Sequence, residues 1–172
     1  MAIHRLNHAV LFVRDVERSV AFYREVLGFQ PVGEMTMRGA AFLRAAGSTN
    51  DHDLGLFEIG AAAAASGAGR TSVGLYHLAW EVDILRDLEA ISAALADAGA
   101  LAGASDHSTT KSLYGQDPDG LEFEVAWVVP AALIDDAVLA GRTSIRPLEL
   151  DREIARYGAD TPGGIGVSRA AV

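Results

Sequence analysis

The sequence predicts an α+β fold of two tandem βαβββ modules followed by a helical C-terminal extension. Three observations predict it. A strand-like apolar run followed by a helical pattern with a glycine stop occurs twice, in "LNHAVLFV" with "VERSVAFYREVLGF" and in "GLYHLAWEV" with "DILRDLEAISAALADAGA". Three short strand-like pieces follow each pair. The run "GAAAAASGAGRTS" (60–72) has no periodicity and reads as a mobile linker between the two sets.

The elements follow in order. Residues 6–13 read as a buried strand. Asp15 is placed to cap a helix, because its carboxylate accepts from free N–H groups of the first turn. Val16, Val20, Tyr23 and Leu27 recur at helical spacing, and Gly28 ends the run. "FQPVGEM", "RGAAFLRA" and "HDLGLFEI" complete module 1, residues 4–60. In module 2, residues 73–128, the strand "GLYHLAWEV" (74–82) leads to a helix through Ile84, Leu88, Ile91 and Leu95, stopped at Gly99. "ALAGASD", "KSLYGQD" and "LEFEVAW" are its strands, the last two joined by a D-P-D-G turn. "PAALIDDAVLAG" and "PLELDREIARYG" predict a helical extension over 129–158, and 159–172 reads as a disordered tail.

Composition narrows the partners. The chain has 172 residues, 50% hydrophobic and 22% charged, with no cysteine and a formal charge of −9. Disulfides, thiolate metal sites and a cysteine nucleophile are excluded. An acidic chain without a basic stripe is a poor match for nucleic acid. No apolar run approaches the ~20 residues of a membrane span. The N-terminus lacks a signal-peptide layout, so a cytoplasmic location is expected. A small molecule or another protein is the expected partner, and any metal must be held by histidine or oxygen.

The repeat then selects residues. Superposing "LNHAVLFV" on "LYHLAWEV" sets His8 on His77, and superposing "LFEI" on "EFEV" sets Glu58 on Glu124. A single strand histidine is commonly a satisfied core residue. Two at equivalent repeat positions, with a carboxylate, are a divalent-metal donor set. Glu122 and Glu124 differ by two and share a face, so the strand itself leaves both open, as ligands or as solvated edge charges.

The duplicated unit, "LNHAVLFVRDVERSVAFYREVLGF" and "DPDGLEFEV" resemble the vicinal oxygen chelate superfamily, which includes glyoxalase I, bleomycin- and fosfomycin-resistance proteins, methylmalonyl-CoA epimerase and extradiol catechol dioxygenases. The resemblance covers about residues 4–128. It implies a glyoxalase-like domain with His8 and His77 as metal ligands. Its ligand glutamate lies four residues past the D-P-D-G glycine, which selects Glu124. Three further groups match the extradiol branch: His52 in "HDLGLF", His107 in "SDHSTTKSLY", and Tyr114, ten residues before Glu124. That branch implies Fe(II), sometimes Mn(II), a catechol-type substrate, O2 and a homodimer. His52 would serve as base and acid, with His107 and Tyr114 donating hydrogen bonds. Typical extradiol enzymes carry four modules; this chain has two, as single-domain members do. The glyoxalase I branch implies instead Glu58 as fourth ligand, Ni(II) or Zn(II), and proton transfer by Glu58 or Glu124. A non-catalytic, resistance-type binder is the third reading. Lys111, in the hairpin, is expected to be solvated.

Overall fold

The computed structural model describes residues 3, 5–33, 37–68 and 71–164. It resolves into two compact units, one of the described residues of 1–67 with Asp117–Gly120, the other of those of 68–116 with 121–164.

Unit 1 contains β1 (Ala9–Val13), α1 (Val16–Leu27), β2 (Gln30–Pro31), β3 (Ala40–Arg44) and β4 (Leu54–Glu58). The sheet order is β1-β4-β3-β2, with β1 parallel to β4 and the other pairs antiparallel. α1 begins where the sequence predicts. Asp15 accepts from the backbone N–H of Arg18 at 2.9 Å, and Gly28 ends the helix at φ 74°, a left-handed conformation that glycine adopts without strain. Tyr23, Phe29, Leu43, Leu54 and Leu56 are buried and form the core of this unit.

Unit 2 contains β5 (Leu78–Glu81), α2 (Leu85–Asp97), β6 (Leu101–Asp106), β7 (Thr110–Gln116), β8 (Glu122–Val128), α3 (Asp136–Gly141), β9 (Arg146–Pro147) and α4 (Leu150–Tyr157). Its sheet order is β5-β8-β7-β6-β9. With the short β9 set aside, this is the order of unit 1, and β5 is again parallel to β8. The duplicated βαβββ architecture with a helical C-terminal part is therefore present. Leu85, Leu88 and Leu95 of α2 are buried, and so are Leu113, Phe123, Val125 and Trp127 of the sheet.

The sheet of unit 2 has two chemically distinct faces, because side chains alternate along a strand. Lys111 lies opposite Trp127, Leu113 opposite Val125 and Gly115 opposite Phe123, on the core face. Ser112 lies opposite Ala126, Tyr114 opposite Glu124 and Gln116 opposite Glu122, on the other face.

Four features depart from the sequence reading. The turn 117–120, expected within module 2, groups with unit 1, where Asp119 accepts from Arg14 N (2.9 Å), Arg14 Nη1 (2.8 Å) and Arg18 Nη2 (2.8 Å). Burial opposes the Asp119 charge, but those bonds and charges hold its carboxyl below the ordinary value.

Lys111 is not solvated. Its side chain is 1% exposed, with Nζ 2.6 Å from Asp106 Oδ1 and 2.8 Å from Glu153 Oε2 of α4. Arg146 Nη2 meets the other Asp106 oxygen at 2.9 Å. The reason is register. Lys111 falls on the core face, and a buried ammonium needs carboxylate partners to offset its lost hydration.

The tail is ordered as far as residue 164. Trp127 Nε1 donates to Thr161 O at 3.1 Å, and Arg86 N donates to Ala159 O at 2.8 Å. A side chain at Gly164 would stand 2.7 Å from Pro130 Cα, so "PGG" permits a close backbone approach. The rest of the expected disordered tail, 165–172, lies outside the described residues.

The fourth departure concerns Glu58 and belongs to the site. Among the described residues of 60–72, no helix or strand forms.

Candidate metal and catalytic site

Unit 2 gathers four of the selected residues. His77 stands immediately before β5, and its Nε2 lies 3.0 Å from Glu124 Oε2 on the neighbouring β8. Two register features produce this contact. β5 and β8 are paired with Ala79 beside Glu124, and His77 is two residues before Ala79, on the same face. On the other side of Glu124, Tyr114 is its direct antiparallel partner on β7. The Tyr114 ring lies 5.9 Å from that of His77, and its hydroxyl is 2.9 Å from His107 Nε2. Burial raises the Tyr114 pKa, and the Glu124 charge adds to it, so the phenol keeps its proton and remains a hydrogen-bond donor.

Glu122 shares this face but sits opposite Gln116, near the turn, and is exposed. Glu124 is half-buried and touches His77.

Unit 1 gathers two more. His8 stands immediately before β1, exposed, with Nδ1 2.7 Å from Asn7 Oδ1. His52 closes the loop that leads into β4. Its ring centroid is 4.5 Å from that of His8 and 5.1 Å from that of Phe42. Asp53 organises that loop, accepting from Ala45 N (2.9 Å), Ser48 Oγ (2.8 Å) and Asn50 Nδ2 (2.6 Å). The face that follows His8 is apolar: Val10, Phe12, Phe42 and Phe57 share it by register.

Glu58 does not occupy the place that the repeat alignment gave it. Glu124 pairs with Ala79, two residues past His77. The corresponding partner of Val10, two residues past His8, is Gly55. Glu58 pairs with Val13 at the far end of β4, and its Oε2 accepts from Val16 N at the start of α1, at 3.1 Å. The matched letters "FE" were out of register by three residues. A carboxylate at a helix start is held by free N–H groups and the helix dipole, a structural role.

The donor set suits a divalent cation. His77 Nε2 and Glu124 Oε2 stand 3.0 Å apart, and an imidazole nitrogen that gives up its proton and a carboxylate oxygen are both ligands that divalent metals take. His77 Nδ1 is buried without a hydrogen-bond partner among the described residues, so the ring is steered by packing against Tyr76 (4.6 Å) and Tyr114. Taken alone, neither unit brings three His, Asp or Glu side chains into a metal-holding group among its described residues.

The model of the Glyoxalase/Bleomycin resistance protein/Dioxygenase superfamily matches residues 5–125. The chain belongs to this superfamily. A curated catechol-2,3-dioxygenase of Bacillus subtilis is 35% identical over 126 residues, 70% of this chain. The chain spans 40% of that relative's length. Among solved structures, a glyoxylase/bleomycin resistance protein/dioxygenase domain from Frankia sp. EAN1pec superposes with a TM-score of 0.61 at 24% identity, covering 74% of this chain and 93% of that one. A fosfomycin resistance protein from Listeria monocytogenes, complexed with Mn(II) and 1S,2S-dihydroxypropylphosphonic acid, superposes with a TM-score of 0.52 at 18% identity, covering 72% and 92%. Both structural likenesses concern the fold. Among the described residues, no helix is long and apolar enough to cross a membrane.

Several participating residues escaped sequence reasoning. Asp53, Ser112 and Asp119 are ordinary loop, strand and turn residues until the register and loop closures are known. One signal pointed to Ser112: it lies two residues before Tyr114, on the same face of β7.

Proposed function

We propose that the protein is a metal-dependent extradiol dioxygenase, cleaving the ring of a catechol-type aromatic with O2. The observation that carries this reading is the contiguous polar run on one face of unit 2, where the His77–Glu124 pair adjoins the Tyr114–His107 pair. The likeness to the curated catechol-2,3-dioxygenase supports it. His77 and Glu124 are assigned as ligands, with His8 as the third through the family resemblance. Fe(II) is the assigned metal, and a homodimer the assigned assembly. Bound there, the metal would supply open positions for two adjacent hydroxyls and O2, and would acidify the hydroxyls.

The protein groups divide the remaining work. His52 takes a hydroxyl proton and returns it later, a role for which imidazole is suited near neutral pH. Its ring is fixed by Phe42 and by Asp51 Oδ2, 3.2 Å from Nδ1. Tyr114, kept protonated, donates a hydrogen bond to a substrate oxygen, and His107 holds the phenol in place. A glyoxalase-type isomerisation gives no work to this tyrosine–histidine pair, and the Glu58 register removes the reason to invoke a fourth ligand.

The test is direct. Protein loaded anaerobically with Fe(II) is mixed in air with catechol, 3-methylcatechol or 2,3-dihydroxybiphenyl. Yellow ring-fission product is expected with at least one. No colour with any of them, together with Ni(II)- or Zn(II)-dependent turnover of a hemithioacetal, overturns the proposal. His77→Ala is expected to lose bound metal, whereas His52→Ala keeps it and loses about 10²–10⁴-fold in turnover, the usual worth of a general acid–base group.

A further inference from the structure

The Glu124 carboxylate has two oxygens with separate tasks. Oε2 faces His77, and Oε1 accepts from Ser112 Oγ at 2.5 Å. Ser112 is fully buried on β7. It shares a face with Tyr114, two residues on, and lies diagonally across from Glu124. Tyr114, the direct partner of Glu124 across the ladder, has its hydroxyl 2.9 Å from His107 Nε2.

We propose that Ser112 is a positioning residue that sets the rotation of the Glu124 carboxylate by donating a hydrogen bond to its Oε1. This rests on the reading of Glu124 as a ligand. The direction follows from donor counting. An ionised carboxylate only accepts, so Ser112 must spend its single hydrogen on Glu124. That bond cannot reverse while Glu124 stays charged. The bond fixes Oε1, which leaves Oε2 in the orientation that meets His77. Outer hydrogen bonds of this kind orient ligating carboxylates, and their loss commonly weakens metal binding 10–100-fold. Without Ser112, Glu124 is free to rotate about its terminal torsion, which is broad and roughly two-fold.

The experiment compares the full chain with Ser112→Ala and Ser112→Thr. Mn(II) alone is the probe, and its affinity is read by electron paramagnetic resonance against a competing chelator. The alanine variant is expected to bind Mn(II) about 10–100-fold more weakly. The threonine variant keeps the hydroxyl on a strand-compatible side chain, so it is expected to bind within about threefold of the parent. A second readout needs no metal: the ¹⁵N resonances of the His77 ring in the apo protein, which report its contact with Glu124. They are expected to shift in Ser112→Ala and to persist in Ser112→Thr. Parent-like Mn(II) affinity and an unchanged His77 spectrum in the alanine variant overturn the inference. Equal weakening in both variants also overturns it, since the effect then belongs to packing and not to the hydroxyl. Should the parent itself bind no divalent metal, the ligand reading fails, and the His77 spectra still decide whether Ser112 positions Glu124.

Discussion

The two units share one frame and differ in what they place on it. Each sheet runs in the order first, fourth, third, second strand, each has its first strand parallel to its fourth, and each has a histidine immediately before its first strand. At the matched register position, two residues beyond that histidine and across to the fourth strand, unit 2 has Glu124 and unit 1 has Gly55. Side chains account for the contrast. A Cβ at Gly55 would meet the Val10 methyl at 3.5 Å and the Phe42 ring at 3.6 Å, so that place on the unit 1 face is already walled by apolar groups. Unit 2 fills the corresponding place with a carboxylate that meets Ser112 and His77, beside the hydrogen-bonded Tyr114–His107 pair. The frame is shared, and the matched ladder pairs Phe42–Gly55 and Tyr114–Glu124 separate an apolar wall from a polar centre.

The units also differ in how they are locked, and this difference can be broken experimentally. The largest expected effect is at Lys111. Its replacement by Ala strands Asp106 and Glu153, both buried, and is expected to lower stability by about 3–5 kcal/mol, the usual cost of removing one partner of a buried ion pair. Urea unfolding measures it, and a loss below about 1 kcal/mol, the ceiling for surface pairs, would show that the cluster behaves as a surface pair. Unit 1 uses its turn instead. Asp119→Asn is expected to cost less, about 1–3 kcal/mol, because the amide keeps one acceptor for the three donors of Arg14 and Arg18. A larger cost than at Lys111 would reverse the ranking of the two locks.

Acid should weaken both locks. Asp106 and Asp119 are each held below the ordinary aspartate value. For Asp106, burial opposes the charge, but bonds from Lys111 and Ser108 N and the charges of Lys111 and Arg146 outweigh it. A depressed folded-state pKa adds stability that is complete above the unfolded value, about 3.9, and fades as pH falls below it. Thermal unfolding followed downward from about pH 6 is expected to show a stability loss that steepens below about pH 4 and is shallower in Asp106→Asn. An identical acid slope in the variant would remove Asp106 from this account.

The smallest effect sharpens the register argument. Glu58→Gln is expected to cost only about 0.3–1 kcal/mol, the worth of a charge at a helix start, and to leave bound metal unchanged. Metal content that falls in this variant would restore Glu58 as a ligand and refute the three-residue offset.

Much of the fold was legible in the chain. Asp15 and Gly28 mark the ends of the first helix, apolar alternation marks the strands, and the repeated order gives the two sheets. These are local signals, set by capping chemistry and by side-chain period. Of the site, the sequence supplied the residue types and, through the family resemblance, the choice of Glu124 over Glu122. It could not supply partners. Superposing "LFEI" on "EFEV" matched letters without knowing strand register, and a shift of three residues carries a side chain to the other face and along the strand. Lys111 read as a solvated hairpin residue because its counter-charges, Asp106 and Glu153, become neighbours only when α4 folds onto the sheet. "TPGG" read as disorder for the same reason: its close fit depends on Pro130 and Trp127, more than thirty residues earlier. The sequence by itself determined which elements form and in what order. The tertiary structure decided which carboxylate meets a histidine and which charges are buried, because burial and pairing are set by contacts between residues distant in the chain.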